Sequence, residues 1–427
     1  MPASRRLRGH DDSVVVAFWS LSRQHPAMSL ITASLGGIAA PERRTMGVAC
    51  GAHILHDGYT DLLYVLLPLW QAEFGLGFAE VGLLRALYTG SMAGFQVPAG
   101  ALAERIGGPL LLGLGTALVG VGYLAAGTSA GFIMLAAALA IGGLGASVQH
   151  PIAANLVAQA FAGRRSRMAF ATYNFSGDLG KMALPAATAG LLMLMPWRSA
   201  TVVLGVAAFA GAAAILAARG LPGRAAVPGA SDKAEAANQP AAPDGHGFPL
   251  LLSIAMIDSA TRMGFLTFLP FLLKMRGADL PTIGIALTLI FTGGAAGKLV
   301  CGWLGERLGV VTAVFVTEGL TAAGILALLP LPLFAELMVL PLIGVALNGT
   351  SSVLYGTVPE LVAPERRQRA FSIFYTGGIG AGALAPVVYG LVSDLADVPV
   401  MMVLIAAIAL VTLPLTWALR PALRAIS

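Results

Sequence analysis

The sequence predicts an all-α membrane protein of twelve transmembrane helices, arranged as two pseudo-symmetric six-helix bundles. Three observations predict this fold: the composition, the spacing of apolar runs and an internal repeat. Of the 427 residues, 57% are hydrophobic and only 11% are charged, whereas a soluble domain is about a quarter charged. Runs of about 20 apolar residues, enough to cross about 30 Å of hydrocarbon, recur between Met46 and Leu419.

These apolar runs define the predicted spans. In chain order they cover residues 46–70, 79–101, 108–127, 131–159, 169–192, 197–219, 249–273, 280–304, 309–331, 335–361, 370–393 and 398–419.

The rest of the chain divides the spans into two units. Residues 220–247 are rich in Ala, Pro, Gly and charge, which predicts a disordered cytoplasmic linker. The linker separates an N-terminal bundle, 46–219, from a C-terminal bundle with a short cytoplasmic tail, 248–427. Residues 1–45 are predicted to be a disordered cytoplasmic extension.

The distribution of basic residues predicts the orientation. Most Lys and Arg lie before the first span, in the connections that follow even-numbered spans, or after the last span, and the opposite side holds only Arg198, Lys274 and Arg276. By the positive-inside rule, both termini are cytoplasmic. The net charge of +5 therefore reports topology, and no nucleic-acid partner is predicted. Cys50 and Cys301 fall in different halves, so no disulfide and no metal site are predicted.

The two halves repeat each other. A shift of 202 positions pairs Pro68 with Pro270 and Gly82 with Gly284. Both copies begin on the cytoplasmic side, so the repeat is parallel, with its axis along the membrane normal.

One loop is duplicated with the repeat, as GALAERIG after the second span and GWLGERLG after the eighth. An acid and an Arg at a cytoplasmic helix end can latch neighbouring helices through charge-assisted hydrogen bonds, and small residues let helices approach closely. The alternative is a tight turn with a solvated charge pair. The predicted gating residues are Gly100, Glu104, Arg105, Gly107, Gly302, Glu306, Arg307 and Gly309.

This loop resembles the signature of the major facilitator superfamily, and the resemblance extends over nearly the whole chain from Met46. It differs at Glu104, where the family usually has Asp, and at Gly108 and Pro109, where basic residues usually follow. The resemblance implies a monomeric secondary transporter that works by alternating access. It also implies a central cavity lined by spans 1, 4, 7 and 10 and flanked by spans 2, 5, 8 and 11.

The fourth and fifth spans also resemble a narrower group, the fosmidomycin-resistance type of bacterial exporter. That type has a Gly-rich segment before a His-Pro pair, then a basic loop, and then a Gly-rich span that ends in Pro. This resemblance implies efflux across a bacterial inner membrane. The matching residues are Gly143, Gly145, His150, Pro151, Arg164, Arg165, Arg167, Gly177, Gly180 and Pro185.

Ionisable residues within the spans are the candidate functional groups, since each costs a few kcal/mol to insert unless it faces protein or a wet cavity. On span 1, one arc of about 100° carries several polar side chains at helical spacing. Two aspartates one turn apart repel if both ionise, so at least one should bind a proton or a cation. His53 can instead be merely interfacial. The span 1 residues are His53, Asp57, Thr60, Asp61 and Tyr64, with His56 just outside the arc.

Spans 5 and 7 each carry an acid and a base at helical spacing. Asn174, Asp178 and Lys181 share one stripe of span 5, and Asp258 and Arg262 are i,i+4 on span 7. Each pair is either structural or exchangeable with a proton or an anionic substrate.

Three further charges lie in the spans, of which Lys298 and Arg85 have no obvious partner within their own helices. Lys298 on span 8 is predicted to face Asp57 or the substrate. Arg85 on span 2 either snorkels outward or binds. Glu318 lies on a supporting span and is interpreted as structural, outside the site.

His150 precedes a proline on a lining span. Pro151 removes the helix hydrogen bond to the carbonyl of Ser147, which predicts a kink. His150 is either a satisfied packing residue or a proton carrier or substrate donor, and Gln149 adds an amide.

Together these features predict a proton-coupled secondary active transporter that exports a small organic anion or drug. Uptake of a small metabolite and a transport-inactive membrane sensor are the alternatives. An enzyme is not predicted, because no HExxH or GxSxG motif occurs, and no GxxxxGK[ST] segment points to ATP or any other cofactor. The predicted proton carriers are Asp57, Asp61 and His150, and the predicted anion-binding residues are Lys181, Arg262 and Lys298.

Overall fold

A computed structural model describes residues 39–161, 164–218, 221, 246–363 and 366–424. The regular structure of these residues is helical. The helices, numbered in chain order, are α1 (Ala40–Asp61), α2 (Leu63–Phe74), α3 (Phe78–Ile106), α4 (Gly108–Gly127), α5 (Phe132–Ala146), α6 (Gln149–Ala160), α7 (Arg164–Leu194), α8 (Trp197–Ala217), α9 (Gly247–Met275), α10 (Leu280–Leu328), α11 (Leu333–Leu361), α12 (Arg367–Leu395) and α13 (Val398–Arg424).

These helices account for the predicted spans once the breaks are considered. Leu62, between α1 and α2, keeps helical backbone angles, and its N–H bonds the Gly58 carbonyl. Helix α10 has 49 residues, about 74 Å at 1.5 Å per residue, and it is broken at Gly309. Joining α1 to α2 and α5 to α6, and dividing α10, gives twelve segments in the described residues. Eight helices there are long and apolar enough to cross a membrane by length and composition.

The kink predicted from Pro151 is present. Helix α5 ends at Ala146 and α6 begins at Gln149, with Ser147 and Val148 between them. Pro151 has no N–H, so the Ser147 carbonyl lacks its usual helix hydrogen bond, and the break between the helices lies at Ser147.

The ends of the bundles differ slightly from the prediction. Helix α1 begins at Ala40, before the predicted start of the first span, and the Glu42 carboxylate accepts from the Ala39 N–H at 2.9 Å. The rest of the predicted N-terminal extension and most of the predicted linker lie outside the described residues.

The last glycine of each duplicated motif has a specific backbone role. Gly107 has φ 93° and Gly309 has φ 80°, values that side-chain-bearing residues rarely adopt. Each turns the chain between two helices, Gly107 between α3 and α4 and Gly309 within α10. The repeat is therefore visible in the backbone as well as in the sequence.

The apolar core shows that one end of the molecule is closed. The largest cluster of buried side chains joins both halves and includes Trp70 and Leu84 from the first half and Phe268 and Ile290 from the second. All of these lie toward the end opposite Ala40 and Arg424. Near the end that holds those termini, each half has its own separate clusters.

An aspartate from the second half caps a helix of the first half at this closed end. The Asp394 carboxylate, on α12, accepts from the backbone N–H groups of Phe78 at 2.6 Å and Ala79 at 2.8 Å, at the start of α3. A carboxylate at a helix N-terminus is stabilised by the unpaired N–H groups and by the helix dipole. This contact therefore stabilises the conformation in which the closed end is shut.

We expect Asp394→Ala to weaken that closure. Loss of a helix cap costs about 0.5–2 kcal/mol, which raises the population open at this end about 2- to 30-fold. Thiol labelling of a cysteine introduced into the buried end of the cavity measures the change. The matched control is Asp397→Ala, which removes a carboxylate that caps a helix within the same half by accepting from Val400 N–H at 2.7 Å. Equal labelling of Asp394→Ala and the unsubstituted protein would contradict a gating role.

Candidate functional site

A cavity of about 770 Å³ lies between the two halves. Side chains from α1, α2, α3, α6, α7, α9, α10, α11 and α12 line it. Four acidic and four basic side chains face it, so its formal charges balance. The predicted site residues that line it are His56, Asp57, Asp61, Tyr64, His150, Asn174, Asp178, Lys181, Asp258, Arg262 and Lys298.

Gln149 is the predicted site residue that does not line this cavity. Its side chain is buried, and its Nε2 donates to the Tyr173 hydroxyl at 3.2 Å. One residue along a helix is a rotation of about 100°, so Gln149 faces α7 while His150 faces the cavity. Its amide therefore belongs to packing between helices in this conformation.

The cavity opens toward the end that holds the described termini. Lining side chains near that end are exposed, such as Phe175 at 52% and Leu299 at 79%. Lining side chains at the other end, such as Tyr64 and Phe291, are buried. The cavity is therefore open at one end and sealed by the shared apolar core at the other.

A chain of ion pairs crosses the cavity. Lys181 Nζ lies 3.3 Å from Asp57 Oδ2 and 3.9 Å from Asp178 Oδ1. Both carboxylate oxygens of Asp178 lie 2.7 Å from Lys298 Nζ. The expected pair within span 5 is present, but the closer partner of Asp178 is Lys298, which belongs to the other half. Lys298 was predicted to face Asp57 or the substrate; its direct contact is Asp178, so this ion pair joins the two bundles.

Arg85 does not snorkel outward. Its side chain is 1% exposed, and its guanidinium donates to the Tyr64 hydroxyl at 2.9 Å and the Thr60 carbonyl at 3.0 Å. Asp61 lies 3.4 Å away. Arg85 thus supplies the cationic partner that the second aspartate of span 1 requires.

Three histidines surround Asp57 and can carry protons. His53 Nδ1 lies 2.8 Å from the Tyr173 carbonyl, which can only accept, so Nδ1 carries the hydrogen in this contact. His53 Nε2 faces Asp57 Oδ2 at 3.4 Å, so a second proton on this ring would form an imidazolium–carboxylate pair. His56 Nε2 and His150 Nε2 are 3.2 Å apart and can share one hydrogen.

Two glycines of span 5 allow this cluster to form. A Cβ on Gly177 would lie 2.5 Å from Asp57 Oδ2 and 2.7 Å from His53 Nε2, and a Cβ on Gly180 would overlap the Ile54 carbonyl. Helices α1 and α7 can therefore approach closely only because these positions lack side chains. The Gly-rich fifth span thus has a specific role in placing the charges.

The histidine cluster also has a geometry that the sequence did not indicate. Ligand atoms of His56, Asp57 and His150 lie within 4.8 Å of one another, an arrangement that could hold a metal ion. The Lys181 ammonium beside Asp57 already balances that carboxylate. No metal site was predicted, because the sequence reasoning considered only the two cysteines; His56 and Asp57 are neighbours on α1, whereas His150 lies on α6.

The acid and base of span 7 do not pair as expected. No ion pair of 4.0 Å or less joins Asp258 to Arg262 among the described residues. The Asp258 side chain is 4% exposed and lines the cavity. Glu318, which was interpreted as structural and outside the site, is 1% exposed and is not among the cavity-lining residues.

The duplicated loops are not latched by charge in this conformation. Glu104 and Arg105 in the first copy, and Glu306 and Arg307 in the second, are exposed. None of these four forms an ion pair among the described parts of the chain, although the Arg307 guanidinium lies 5.6 Å from the Trp303 ring centre. The cavity is open at the end that holds the described termini, where both loops lie, and this agrees with an unformed latch.

Two similar helical bundles around one charged cavity, open at one end and sealed at the other, define a membrane transporter of the two-bundle class. The chain belongs to the Major Facilitator Superfamily, whose family profile matches residues 49–256 and 251–425. The multi-pass membrane architecture and the resemblance inferred from the sequence are thereby confirmed. Family and fold both point to a transporter rather than an enzyme.

Individual proteins are also similar to this chain, at sequence identities of 25% or less. The fosmidomycin resistance protein of Escherichia coli (strain K12) is 25% identical over 362 residues, which cover 82% of this chain and 86% of that protein. A bacterial homologue of the human lysosomal transporter Spinster, in an inward-facing and occupied conformation, has a TM-score of 0.74 and 16% identity. That match covers 90% of this chain and 98% of the other. A second structure of such a homologue, in an inward-facing and unoccupied conformation, also has a TM-score of 0.74, at 15% identity.

Proposed function

We propose that this protein is a proton-coupled secondary transporter that exports a small organic anion or drug by alternating access. It acts as a monomer in a bacterial inner membrane, with both termini in the cytoplasm. The observation that carries the proposal is the Lys298–Asp178 contact, an ion pair between the two bundles at the wall of their shared cavity.

The basic side chains supply the anion site. Lys298 and Lys181 keep 40% and 26% of their side-chain surface exposed, so a ligand in the cavity can reach both ammonium groups. An anion that binds Lys298 competes with Asp178 for the same donors, and charge-assisted bonds of this kind are strong in a partly desolvated site. Because Asp178 and Lys298 belong to different halves, this exchange loosens a contact between the bundles when substrate arrives.

The protonatable groups lie beside these cations. Asp57 contacts Lys181, and His53 and His56 contact Asp57. A proton added to this cluster changes which of its groups are paired. Protonation of the cluster therefore affects, through Asp57, whether the Lys181 ammonium can bind a substrate anion.

Export is supported by the relative from Escherichia coli, whose name records resistance to fosmidomycin. The test is flux into proteoliposomes under an imposed pH gradient, with fosmidomycin and a panel of organic phosphonates and carboxylates as probes. Accumulation in vesicles with an acidic interior demonstrates exchange against protons. Absence of gradient-dependent flux for every probe would overturn the proposal and favour the transport-inactive sensor.

One observation favours uptake as a second candidate function. An anion that binds the Lys298 ammonium displaces the Asp178 carboxylate from it. The displaced carboxylate has lost its cationic partner and can accept a proton, so the anion and a proton bind together. Co-binding is the requirement for symport. Accumulation in vesicles with an acidic exterior, rather than interior, would select this candidate.

We expect Lys298→Gln to weaken substrate binding. Loss of a hydrogen bond to a charged group costs about 1.5–3 kcal/mol, so KM should rise about 10- to 150-fold for an anionic probe. Concentration-dependent flux measures this. Lys274→Gln is the control, because Lys274 lies outside the cavity near the Pro68 carbonyl. An unchanged KM in Lys298→Gln would remove Lys298 from the anion site.

A further inference from the structure

Arg262 is a cavity cation without a carboxylate partner in the part of the chain that the structure describes. The other three basic side chains that line the cavity, Arg85, Lys181 and Lys298, each lie within 4.0 Å of a carboxylate. Arg262 has no such partner among the described residues, although Asp258 lies one turn away on α9. Its Nε is buried and has no hydrogen-bond partner there. The guanidinium is therefore free to bind an anion in the cavity.

The chemistry of this side chain favours a particular kind of anion. A guanidinium is planar and presents parallel N–H donors, which match two oxygens of a carboxylate, phosphonate or phosphate group. A buried donor without an acceptor is costly, so an oxyanion that supplies the acceptor binds favourably at Arg262.

Helix α11 contributes neutral polar side chains to the same cavity, which the sequence analysis did not identify. Asn348, Ser351 and Ser352 line it at helical spacing and form the α11 stripe. Helices α9 and α11 pack against each other. Arg262 lies 13 residues before the end of α9, and Asn348 lies 15 residues after the start of α11. Both of these helix ends lie at the closed end of the molecule, so the two side chains have similar depths, about 20 and about 22 Å.

The α11 stripe can accept hydrogen bonds from a ligand. Ser351 Oγ donates to the Asn348 carbonyl at 3.4 Å, and Ser352 Oγ donates to the Gly349 carbonyl at 2.7 Å. Asn348 Nδ2 donates to the Gly344 carbonyl at 3.3 Å. A hydroxyl has one hydrogen, which each serine uses within α11, so the serine oxygens and the Asn348 amide oxygen are left as acceptors.

We propose that Arg262 and the α11 stripe form a substrate subsite, which binds an oxyanion group at Arg262 and hydroxyl or N–H groups of the same molecule at the stripe. The inference rests on the proposed transport function and narrows its substrate class to hydrophilic anions that carry hydrogen-bond donors. The subsite complements Lys298. An oxyanion can bind Arg262 without displacing a carboxylate, whereas binding at Lys298 displaces Asp178.

Two phosphonates that differ by one hydroxyl group test the α11 stripe. Isothermal titration calorimetry should show that the purified protein binds 2-hydroxyethylphosphonate about 2- to 13-fold more tightly than ethylphosphonate, the contribution of one hydrogen bond. The double variant Ser351→Ala, Ser352→Ala should lose this preference and keep its affinity for ethylphosphonate, a result that a merely structural defect would not produce. Ser253→Ala is the matched control, because Ser253 bonds its own helix in the same way at 3.0 Å, outside the cavity. Equal affinity of the unsubstituted protein for the two compounds, or binding of neither, would overturn the proposal.

The role of Arg262 is tested with the same compounds. Arg262→Gln should weaken the binding of both by a similar factor, about 10- to 150-fold for a lost hydrogen bond to a charged group. Unchanged affinities would remove Arg262 from the subsite, and should this variant not fold, the serine variant provides the test. If the hydroxyl preference is present but no probe moves with a pH gradient, the proposed function fails and the subsite stands. If gradient-driven flux is present without the preference, the subsite is wrong and the proposed function stands.

Discussion

Asp57→Asn should abolish pH-driven flux while leaving the protein folded. Asp57 pairs with Lys181 at 3.3 Å and faces the histidines His53 and His56 at 3.4 and 3.9 Å. Asparagine has nearly the same size and fills the same space, so packing against Gly177 is retained. It cannot bind a proton or balance the ammonium, so the link between protonation and Lys181 is removed. We expect gradient-driven flux to fall to the level of empty vesicles.

The measurement is proteoliposome flux with and without an imposed pH gradient. Elution volume and thermal unfolding check that the variant is folded. Glu73→Gln is a useful control, because it removes a carboxylate whose partner is the exposed Arg198, outside the cavity. Full gradient-driven activity in Asp57→Asn would remove Asp57 from the mechanism.

Helical periodicity was sufficient to find most of the cavity wall. Polar side chains that recur at helical spacing on an otherwise apolar span share one face of the helix. Because their burial in lipid is costly, that face must contact water or polar groups of other helices. The arc from Asp57 to Tyr64 on span 1 and the stripe from Asn174 to Lys181 on span 5 follow from this rule alone. The cavity is lined by both.

Contacts between helices could not be predicted in the same way. Spacing fixes the face on which Lys298 lies but not the rotation of its helix relative to α7, so its partner Asp178 remained unidentified. Arg85 could equally have extended outward until the position of Asp61 was known.

The sequence also could not predict which end of the cavity is open in this conformation. Residues that close one end in this conformation must separate when the transporter opens there, so their sequence pattern has to be compatible with both states. Gly82 illustrates this. It appears in the sequence only as one member of a repeat, yet in the structure it is a contact between the halves.

Gly82→Val should trap the transporter open at the end that is closed here. A Cβ at Gly82, on α3, would overlap the Pro386 carbonyl oxygen and lie 2.7 Å from the Val387 nitrogen, both on α12 of the other half. Backbone atoms cannot move aside as a flexible side chain can, so α3 and α12 must separate. Overpacking of this kind costs about 1–3 kcal/mol, which raises the population open at this end about 5- to 150-fold. Transport should fall accordingly, because the cycle requires both states.

The same helix offers a matched control. Gly90 also lies on α3, but a Cβ there would meet no atom within 4 Å. Gly90→Val therefore makes the same change in helix propensity without a clash between the halves. A cysteine at Phe291, at the buried end of the cavity, reports opening through its reaction with a membrane-impermeant thiol reagent after Cys50 and Cys301 are replaced by serine. Faster labelling in Gly82→Val but not in Gly90→Val is the expected result, and equal labelling in both would mean that the contact between α3 and α12 does not gate access.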